Sequence, residues 1–378
     1  MLIDSLELNR ENLCQTFCRY CNSFPDAKII IFGAGSIGKM THDVLVSHGY
    51  KVDSFCDNDI NKQGTYIRGL KVISFDQLVN LDGNVQVILN DKYYIEKMSQ
   101  LESAHFPINH TWRFEAYSFF FKQFTTDYLI EHIDDFEKTF ALMNDSKSKY
   151  VLEGYINGSL TGDISFFENI MSPDKQYFPM DIRCDNNEYN PFDPSFAQHI
   201  FVDVGSCDGM SSCDFIEYFH HAYRRIYAIE PMKESVKIIK EKKIPKMIVY
   251  NIAVTDIKGS KQFYISELDS LRMAASIPLV KSSQGKQSFY VDTIDNILLG
   301  NPVTYMKMDI EGNELLALHG AKKTIQINKP LLAIAVDHKR DDLITIVSLL
   351  HDFVPEYKFY LRHHTHMSFD LVLYAVAW

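Results

Sequence analysis

The pattern of apolar positions divides the chain into two α/β regions separated by a helical one. Two short apolar runs, Lys28–Phe32 and His199–Val204, are each followed by a glycine-containing turn and then by apolar residues at helical spacing. This order is typical of the start of a parallel α/β sheet. Between these runs, Phe119–Phe121, Tyr128–Ile130 and Phe136–Met143 repeat near a period of 3.6, which predicts helices.

These patterns predict four segments in a chain of 378 residues, a length that fits two domains. The stretch Asp185–Pro194 is rich in turn-forming residues and should lead into the second domain. The predicted segments are an N-terminal helix (1–24), a small Rossmann-like α/β domain (25–115), a helical connector (116–195) and a larger α/β domain (196–378).

In the second domain, strand patterns alternate with helix patterns. This order predicts a doubly wound, seven-stranded sheet with binding sites at the carboxyl ends of its strands. The last two strands leave no room for a helix and should form an antiparallel hairpin at one edge. The predicted strands are Ile200–Val204, Ile226–Ile229, Met247–Ala253, Val303–Met308, Leu331–Val336, Tyr357–Leu361 and Asp370–Ala377. The predicted helices are Ser211–His221, Lys233–Lys242, Asn313–Lys322 and Asp341–Phe353.

The composition of the chain argues against several classes of function. The chain has 38 basic and 49 acidic residues, a net charge of −11 and no long basic run, so nucleic acid is not an expected partner. No apolar stretch approaches the about 18 residues of a membrane span, and the N-terminus lacks the basic residues of a signal peptide. The odd count of seven cysteines predicts free thiols and a cytoplasmic location.

Three of these cysteines, Cys14, Cys18 and Cys21, have the spacing that holds an iron–sulfur cluster in radical S-adenosylmethionine enzymes. The same spacing places them on one face of a helix together with Leu13 and Phe17. A radical enzyme would need a (β/α) barrel directly afterwards, whereas a glycine turn begins twelve residues later. The helix interpretation is therefore favoured.

The first glycine turn has the context of a dinucleotide fingerprint. Gly33, Gly35 and Gly38 lie between a strand and a helix, and Asp57 comes nineteen residues after Gly38. Such glycines let the backbone approach a phosphate, and the acid can accept hydrogen bonds from ribose hydroxyls. The segment Ser54–Ile73 resembles the nucleotide-binding domain in front of bacterial sugar acyltransferases, which implies a nucleotide or nucleotide-sugar site at these four residues. A fold whose pocket is empty is the alternative.

The second glycine turn is preceded by an acid. Asp203 lies two residues before Gly205, where it can favour the cationic methionine end of S-adenosylmethionine. Glu230 ends the next strand, where a carboxylate can accept from both ribose hydroxyls, and Asn251 closes the third strand, beside an adenine. Together they predict a class I methyltransferase. The predicted cofactor-binding residues are Asp203, Gly205, Ser206, Asp208, Gly209, Glu230, Pro231, Asn251 and Ala253.

The motifs of the second domain, in their order, resemble those of FkbM-family methyltransferases. The most specific is Lys307-x-Asp309-x-Glu311-Gly312, followed by Glu314. The others are Phe201–Gly209, Glu230-Pro231, Asn251–Val254, Tyr290–Asp295 and Leu318–Ala321. The resemblance covers about residues 175–378 and implies S-adenosylmethionine-dependent O-methylation. Bacterial members with an extra N-terminal domain usually act on sugars of capsule or other surface polysaccharides, which implies a nucleotide-linked sugar as the substrate.

The ends of the fourth and fifth strands carry the candidate catalytic groups. Methyl transfer to a sugar hydroxyl requires removal of a proton, and His338 or Asp309 is the predicted base. Lys307 and Glu311 alternate with Asp309 and should hold the base or the substrate; a purely structural salt bridge is the alternative. The predicted substrate-binding residues are Tyr177, Ser270, Arg272 and Asp337.

Metal chemistry is the competing hypothesis for this site. A divalent cation held by Asp309, Asp337 and His338 would acidify the hydroxyl directly. The stretch Arg362–His366 also suggests a metal through its histidines, but it lies in the predicted edge hairpin, where a solvated turn is favoured.

A non-catalytic protein that binds nucleotide-sugars and retains the methyltransferase fold is the alternative function. It is disfavoured because Asp203, Glu230, Asp309 and His338 are all present, whereas a decayed enzyme would be expected to lose some of them. The aromatic stretch Phe119–Phe124 offers apolar surface that predicts a homo-oligomer.

Overall fold

The computed structural model describes residues 2–8, 19, 22–90, 93–107, 110–113, 124–182, 199–265, 275–276 and 286–377. Cys14, Cys18 and Cys21 of the predicted N-terminal helix lie outside the described residues, as do the loop Asp185–Pro194 and the aromatic run Phe119–Phe121.

The N-terminal region contains a six-stranded sheet whose apolar strands are short. Its strands are β1 (Lys28–Phe32), β2 (Val52–Cys56), β3 (Tyr66–Ile67), β4 (Leu70–Ile73), β5 (Val85–Leu89) and β6 (Thr111–Arg113). Their order is β3-β4-β2-β1-β5-β6, and only the β3–β4 pair is antiparallel. The helices are α1 (Ser36–Ser47), α2 (Phe75–Val79) and α3 (Tyr94–Ser103). The glycine turn between β1 and α1 lies at the carboxyl edge of this sheet.

The connector is helical, as the spacing of its apolar residues predicts. Its described helices are α4 (Thr126–Glu131), α5 (Ile133–Leu142), α6 (Ser146–Thr161) and α7 (Ile164–Ile170). Phe136, Val151 and Tyr155 belong to the same buried cluster as Val202 and Ile334 of the C-terminal sheet. The connector and that sheet therefore share one hydrophobic core.

Residues 2–8, which we term the N-terminal strap, pack on the connector. Leu2 is fully buried in the shared core. The amide N–H of Glu7 donates to Oδ1 of Asn157 (2.8 Å), whose Nδ2 donates to the carbonyl of Ser5 (3.0 Å). The hydroxyl of Thr126 lies 3.4 Å from the carbonyl oxygen of Leu8. The strap is thus attached to the C-terminal body of the protein.

The C-terminal region contains the predicted seven-stranded sheet and a smaller second sheet. The strands are β7 (His199–Val204), β8 (Tyr223–Ile229), β9 (Met247–Tyr250), β10 (Ala253–Val254), β11 (Gly259–Ile265), β12 (Ala275–Ser276), β13 (Lys286–Asp292), β14 (Tyr305–Met308), β15 (Leu331–Ala335), β16 (Lys358–His363) and β17 (Leu371–Val376). The helices are α8 (Met210–Tyr218), α9 (Lys233–Glu241), α10 (Ile294–Leu298), α11 (Glu314–His319), α12 (Lys322–Asn328) and α13 (Asp342–Phe353).

The central sheet has the order β16-β17-β15-β14-β7-β8-β9. Its strands are parallel except for β17, which pairs antiparallel with both β15 and β16. The predicted doubly wound α/β fold and its edge hairpin are confirmed. Every residue of β7, β14, β15 and β17 is buried, as expected for strands covered on both faces. The chain reverses its winding direction between β7 and β14, and binding sites are expected there.

Two predicted elements are interrupted. The strand predicted over Met247–Ala253 is divided into β9 and β10, which belong to different sheets. The helix predicted over Asn313–Lys322 is interrupted after His319, where α11 ends, and α12 begins at Lys322. A Cβ atom at Gly320 would lie 2.1 Å from the carbonyl oxygen of Thr255, so the break permits a close backbone approach.

The second sheet, with the order β10-β13-β11-β12, was not predicted. Its main part is an antiparallel pair, β11 with β13. Phe263 and Phe289 from this pair are buried beside Met232, so the pair covers the end of the central sheet next to β8. No helix among the described residues is long and apolar enough to cross a membrane.

The expected solvated turn over Arg362–His366 is wrong for its first two residues, because Arg362 and His363 end β16 in the interior. Nε of Arg362 donates to the carboxylate of Asp181 (3.0 Å), and Nη2 donates to that of Asp145 (2.7 Å). Both carboxylates are far away in sequence, so the local pattern gave no sign of them. The ion pairs attach the start of α6 and the segment around Asp181 to the edge strand.

Candidate active site

The turn after β7 is held by close backbone contacts. Gly205 has a φ of +78°, and a Cβ atom there would lie 1.9 Å from the carbonyl oxygen of Asp309. The amide N–H groups of Gly205 and Ser206 donate to the carbonyl of Ile229 (3.0 and 3.3 Å). Gly209, with a φ of +82°, is the N-cap residue of α8. Because glycine tolerates these conformations, the turn brings the ends of β7, β8 and β14 together.

Asp203 lies beneath this turn and is fully buried. Its Oδ2 accepts hydrogen bonds from the hydroxyls of Ser211 (2.7 Å) and Ser212 (2.6 Å). Lys307 Nζ lies 3.5 Å from Oδ1 of Asp203 and donates to the carbonyl of Gly205 (2.7 Å). Asp203 and Lys307 therefore form an ion pair that supports the turn. Contact of Asp203 with a methyl donor stays a prediction.

Glu230 follows β8 and is buried against the same turn. Its carboxylate accepts hydrogen bonds from the amide N–H groups of Cys207 (2.9 Å) and Met232 (2.8 Å). Asn251 Nδ2 donates to the carbonyls of Glu230 (3.0 Å) and Pro231 (2.8 Å), which fixes the loop that carries the acid. Burial raises the pKa of Glu230 to about 7 although the two backbone hydrogen bonds lower it.

A small cleft opens beside Gly205 and the loop after Glu230. Its walls come from the ends of β7, β8 and β10, from β11 and from the loop after β14, and they are mainly apolar. This composition suits a flat, weakly polar group, as in most small-molecule sites. The lining residues are Val204, Gly205, Ile229, Pro231, Ile252, Ala253, Val254, Phe263, Ile310 and Asn313.

A histidine surrounded by acids lies next to the cleft. Nδ1 of His338 lies 2.9 Å from Oε1 of Glu314, and Nε2 lies 3.5 Å from Oδ1 of Asp309 and 3.6 Å from Oε2 of Glu311. Glu314 is fully buried, and its Oε1 also accepts from the amide N–H of Ile310 (2.8 Å). We term Asp309, Glu311, Glu314 and His338 the histidine cluster.

The acids determine the protonation of this cluster. Burial lowers the pKa of His338, but the charges of Glu314, Glu311 and Asp337 outweigh it and hold the pKa well above 6.5. The acids therefore favour the protonated form of the ring in the free protein. Burial, followed by the charges of Asp309 and Glu314, raises the pKa of Glu311 to about 7. The side chain of Glu311 keeps 42% exposure, so solvent screens part of this effect.

Tyr177 covers Asp309 from the segment before β7. Its hydroxyl donates to Oδ2 of Asp309 (2.7 Å), and Lys307 Nζ lies 5.3 Å from the centre of its ring. The backbone φ of Tyr177 is +70°, a strained value for a bulky residue. Its amide N–H donates to the hydroxyl of Tyr374 (3.1 Å), and its carbonyl accepts from the hydroxyl of Tyr305. These contacts hold the strained conformation.

Two predicted acids are bound by backbone groups. Asp337 follows β15, and its Oδ2 accepts from the amide N–H of Asp370 (2.9 Å). Asp208 accepts from the amide N–H of Met210 (3.1 Å) at the start of α8. Asp337 lies at the edge of the histidine cluster, whereas Asp208 belongs to the glycine turn.

The side chains of the motif at the end of β14 do not share one set of partners, although the sequence predicted that they would act together. Lys307 faces Asp203, while Asp309 and Glu311 face His338. Ser270 and Arg272 lie outside the described residues. Glu314 had no predicted role, although its place three residues after Glu311 in the family motif was a usable signal.

Three side chains of the histidine cluster have the geometry of a cation site. Ligand-type atoms of Asp309, Glu314 and His338 all lie within 4.8 Å of one another. Two carboxylates and an imidazole suit a first-row divalent metal. The set contains Glu314 in place of the predicted Asp337, and the contact of Nδ1 with Glu314 leaves Nε2 as the ring nitrogen for a metal.

The N-terminal glycine turn, residues 33–38, is bound by the carboxylate of Asp57. Oδ2 of Asp57 accepts from the amide N–H of Ala34 (2.8 Å) and from Lys62 Nζ (3.0 Å). A Cβ atom at Gly38 would lie 1.9 Å from a backbone oxygen of the turn, so the turn packs tightly. Desolvation raises the pKa of Asp57, but backbone hydrogen bonds and Lys62 outweigh it and lower that pKa. In this geometry the carboxylate of Asp57 stabilises the turn by its hydrogen bond with Ala34. Ribose binding by Asp57 stays a prediction.

Comparison with known proteins identifies two regions. Residues 203–365 match the family model of the methyltransferase FkbM domain, and residues 25–110 match that of the C2185-like N-terminal domain. No curated protein matches the chain.

Among solved structures, methyltransferase FkbM from Methylobacillus flagellatus aligns over 96% of this chain and 99% of its own, with 19% identity and a TM-score of 0.65. A putative methyltransferase from Streptococcus mutans in complex with SAH aligns over 47% of this chain and 89% of its own, with 12% identity and a TM-score of 0.29. The first likeness shows a shared fold over nearly the whole chain; the second is too low to add to it.

Proposed function

Because residues 203–365 match the family model of the methyltransferase FkbM domain, we propose that the chain is an S-adenosylmethionine-dependent O-methyltransferase. Its acceptor is an uncharged hydroxyl group of a sugar, because the carboxylates of the histidine cluster disfavour an anionic acceptor. The observation that carries the proposal is the adjacency of two sites at one sheet edge. An apolar cleft beside Glu230 lies next to Asp309 and His338, with Ile310 between them.

An uncharged acceptor fits this site. The carboxylates of Asp309, Glu311 and Asp337 would repel an anionic reacting group, whereas a neutral hydroxyl can donate a hydrogen bond to them. The phosphates of a nucleotide-linked sugar would therefore bind away from the histidine cluster. This reasoning supports a sugar hydroxyl at the reacting end of the substrate.

The cleft supports S-adenosylmethionine as the methyl donor. Its apolar walls suit an adenine ring, and Glu230 lies at the strand end where ribose hydroxyls are bound in related nucleotide sites. In the free protein, the carboxylate of Glu230 is held by the amides of Cys207 and Met232. The acceptor capacity that remains on its two oxygens is available to ribose.

His338 is the proposed general base. Glu314 accepts from Nδ1 and orients the ring, so that Nε2 faces the space beside Asp309 and Glu311. In the reaction, an oxygen–methyl bond forms as the sulfur–methyl bond breaks, and the hydroxyl proton passes to Nε2. The ring must first lose its own proton. The positive sulfonium of the donor favours that loss, because a like charge lowers the pKa of an imidazole.

Asp309 and Tyr177 position the acceptor. Tyr177 donates to one oxygen of Asp309, which leaves the other oxygen facing Nε2 of His338 at 3.5 Å. A hydroxyl bound between that oxygen and Nε2 would be aligned for transfer. Lys307 contributes indirectly, because its ion pair with Asp203 supports the glycine turn. Orientation of this kind can contribute about 7–11 kcal/mol to the lowering of the barrier.

The proposed biological setting is the synthesis of surface polysaccharides. The motifs shared with FkbM-family enzymes and the separate N-terminal α/β domain support a nucleotide-linked sugar and a role in surface polysaccharide synthesis. A nucleotide site at the 33–38 turn, substrate binding by Ser270 and Arg272, and a homo-oligomer belong to the same proposal.

The experiment that tests the function combines binding with turnover. Titration calorimetry with S-adenosylhomocysteine should give micromolar binding by the wild type, and Glu230→Ala should weaken it. His338→Asn should retain that binding but lower kcat/KM for the sugar by about 10²- to 10⁴-fold, as expected for loss of a general base. His319→Asn is the matched control, since His319 is exposed on α11 and should behave as the wild type.

Two results would contradict parts of the proposal. Absence of binding by the folded wild type would remove the methyltransferase assignment. Normal turnover by His338→Asn would remove the base assignment. The imidazole mechanism needs no cation, so activity should persist after treatment with EDTA. A loss of activity that Mg²⁺ or Mn²⁺ restores would favour the cation set of Asp309, Glu314 and His338 instead.

A further inference from the structure

Asn313 differs from its neighbours in the cleft. Among the described residues that line the cleft, it alone has a polar side chain. It lies just before α11, where the loop from β14 enters the helix, and only 4% of it is exposed. A buried amide in an apolar wall is costly unless both of its polar atoms are bound.

One half of this amide is bound and the other is not. Nδ2 donates to the carbonyl of Val254, at the end of β10. Oδ1 is buried and has no hydrogen-bond partner among the described residues. The reverse orientation of the amide would set Oδ1 against the carbonyl oxygen of Val254, so the contact with Val254 fixes which atom remains an unpaired acceptor.

The chemistry of the cleft defines what would bind there. Pro231 and Ile310 supply apolar surface from the loops after β8 and β14, and Phe263 supplies an aromatic ring from the second sheet. A ligand matched to these groups has flat apolar faces and one hydrogen-bond donor at its edge. Adenine has this form, with its 6-amino group as the donor.

We propose that Oδ1 of Asn313 accepts a hydrogen bond from the 6-amino group of adenine and makes the site selective for that base. The inference rests on the proposed function, which places S-adenosylmethionine in this cleft. A base with a carbonyl at the same position, such as hypoxanthine, would oppose one acceptor to another. A base with hydrogen there would leave Oδ1 without a partner.

The test measures selectivity and not only affinity. The full chain is titrated with S-adenosylhomocysteine and with its purine analogue, in which hydrogen replaces the 6-amino group. The wild type should prefer the adenine compound by about 10- to 100-fold, the range that one buried hydrogen bond accounts for. Asn313→Leu should bind both compounds alike, because it retains the volume but has no acceptor.

Asn328→Leu is the matched control. Nδ2 of Asn328 donates to the carbonyl of Thr324 (2.9 Å), and Oδ1 accepts from the amide N–H of Val303 (3.3 Å), so both amide atoms are already bound away from the cleft. This variant should keep the wild-type preference. It reports any loss of selectivity that comes merely from removal of an amide elsewhere in the domain.

The outcomes separate this inference from the function on which it rests. Equal binding of both compounds by the wild type would overturn the role of Asn313 and leave the methyltransferase proposal intact. An unchanged preference in Asn313→Leu would do the same. Binding of neither compound by the folded wild type would overturn both. If Asn313→Leu does not fold, Asn313→Ala replaces it, and a wild-type preference that persists in Asn313→Ala would overturn the inference.

Discussion

Glu314 controls the proton affinity of His338. Its carboxylate is the nearest charge to the ring, at 2.9 Å from Nδ1, and the largest of the charges that hold the pKa of His338 well above 6.5. Glu314→Gln keeps an oxygen for Nδ1 but removes the charge. If His338 is the base, as proposed, it must be neutral to act, so kcat/KM of the wild type should rise with pH through the pKa of His338. In the variant this rise should begin at lower pH.

The pH profile distinguishes this positioning role from a purely structural one. A merely structural Glu314 would change kcat/KM at every pH alike and leave the midpoint of the rise where it is. Stability should follow the same charge pair. It stabilises the folded wild type at pH below the unfolded pKa of histidine, and this contribution is lost as pH rises through the raised folded pKa. Urea unfolding at several pH values checks this for wild type and variant.

Residue positions at strand ends could be predicted, but side-chain directions could not. The positions of Asp203, Glu230, Asp309 and His338 could be predicted because acids and histidines at or just after the ends of buried strands collect at one sheet edge. Lys307 pairs with Asp203 because β14 lies beside β7 in the sheet. The alternation of side chains along β14 does not reveal which strand is its neighbour. The contact of Tyr177 with Asp309 depends on a strained backbone that no sequence pattern indicates.

At the scale of elements, the glycine turn after β7 depends on close contact with the end of β14. Gly205→Ala should lower the free energy of unfolding by more than about 4 kcal/mol, because the added Cβ would lie 1.9 Å from a backbone oxygen of Asp309. Gly300→Ala is the control, since Gly300 has a φ of +76° and nothing within 4 Å of the added atom. It should cost only about 1–2 kcal/mol for the left-handed conformation.

Urea unfolding monitored by circular dichroism measures both variants. Equal losses would show that the backbone conformation, and not the approach to Asp309, makes glycine necessary at position 205. A larger loss in Gly205→Ala would assign the difference to that approach.

The regular elements of the C-terminal sheet could be predicted, because buried parallel strands have continuous apolar runs. The second sheet could not, since β11 and β13 pair across a long separation and carry mixed polar and apolar residues. The burial of Arg362 was missed for a related reason. Its two carboxylate partners, Asp145 and Asp181, come from the connector region, and only the fold brings them to β16.

At the scale of the whole molecule, the N-terminal strap contributes to a core formed mostly by the other end of the chain. Leu2 has no exposed surface and packs in the core shared by the connector and the central sheet. Leu2→Ala should therefore lower the free energy of unfolding by about 2–5 kcal/mol, an unusual cost so near a terminus. Ile60→Ala, at a residue with 78% exposure, should change it by less than about 0.5 kcal/mol.

Chemical unfolding of these two variants provides the comparison. A loss at Leu2 no larger than that at Ile60 would mean that the strap does not stabilise the C-terminal body. Folding of that body would then be independent of residues 2–8.

The contact between Leu8 and Thr126 shows how the two α/β regions are arranged along the chain. Leu8 and Thr126 both lie on the C-terminal body, and the hydroxyl of Thr126 lies 3.4 Å from the carbonyl oxygen of Leu8. In sequence, the six-stranded sheet is thus inserted between two segments of the same body. Replacement of the intervening residues by a short linker from Leu8 to Thr126 would therefore remove the six-stranded sheet and leave the strands of the C-terminal sheet unbroken.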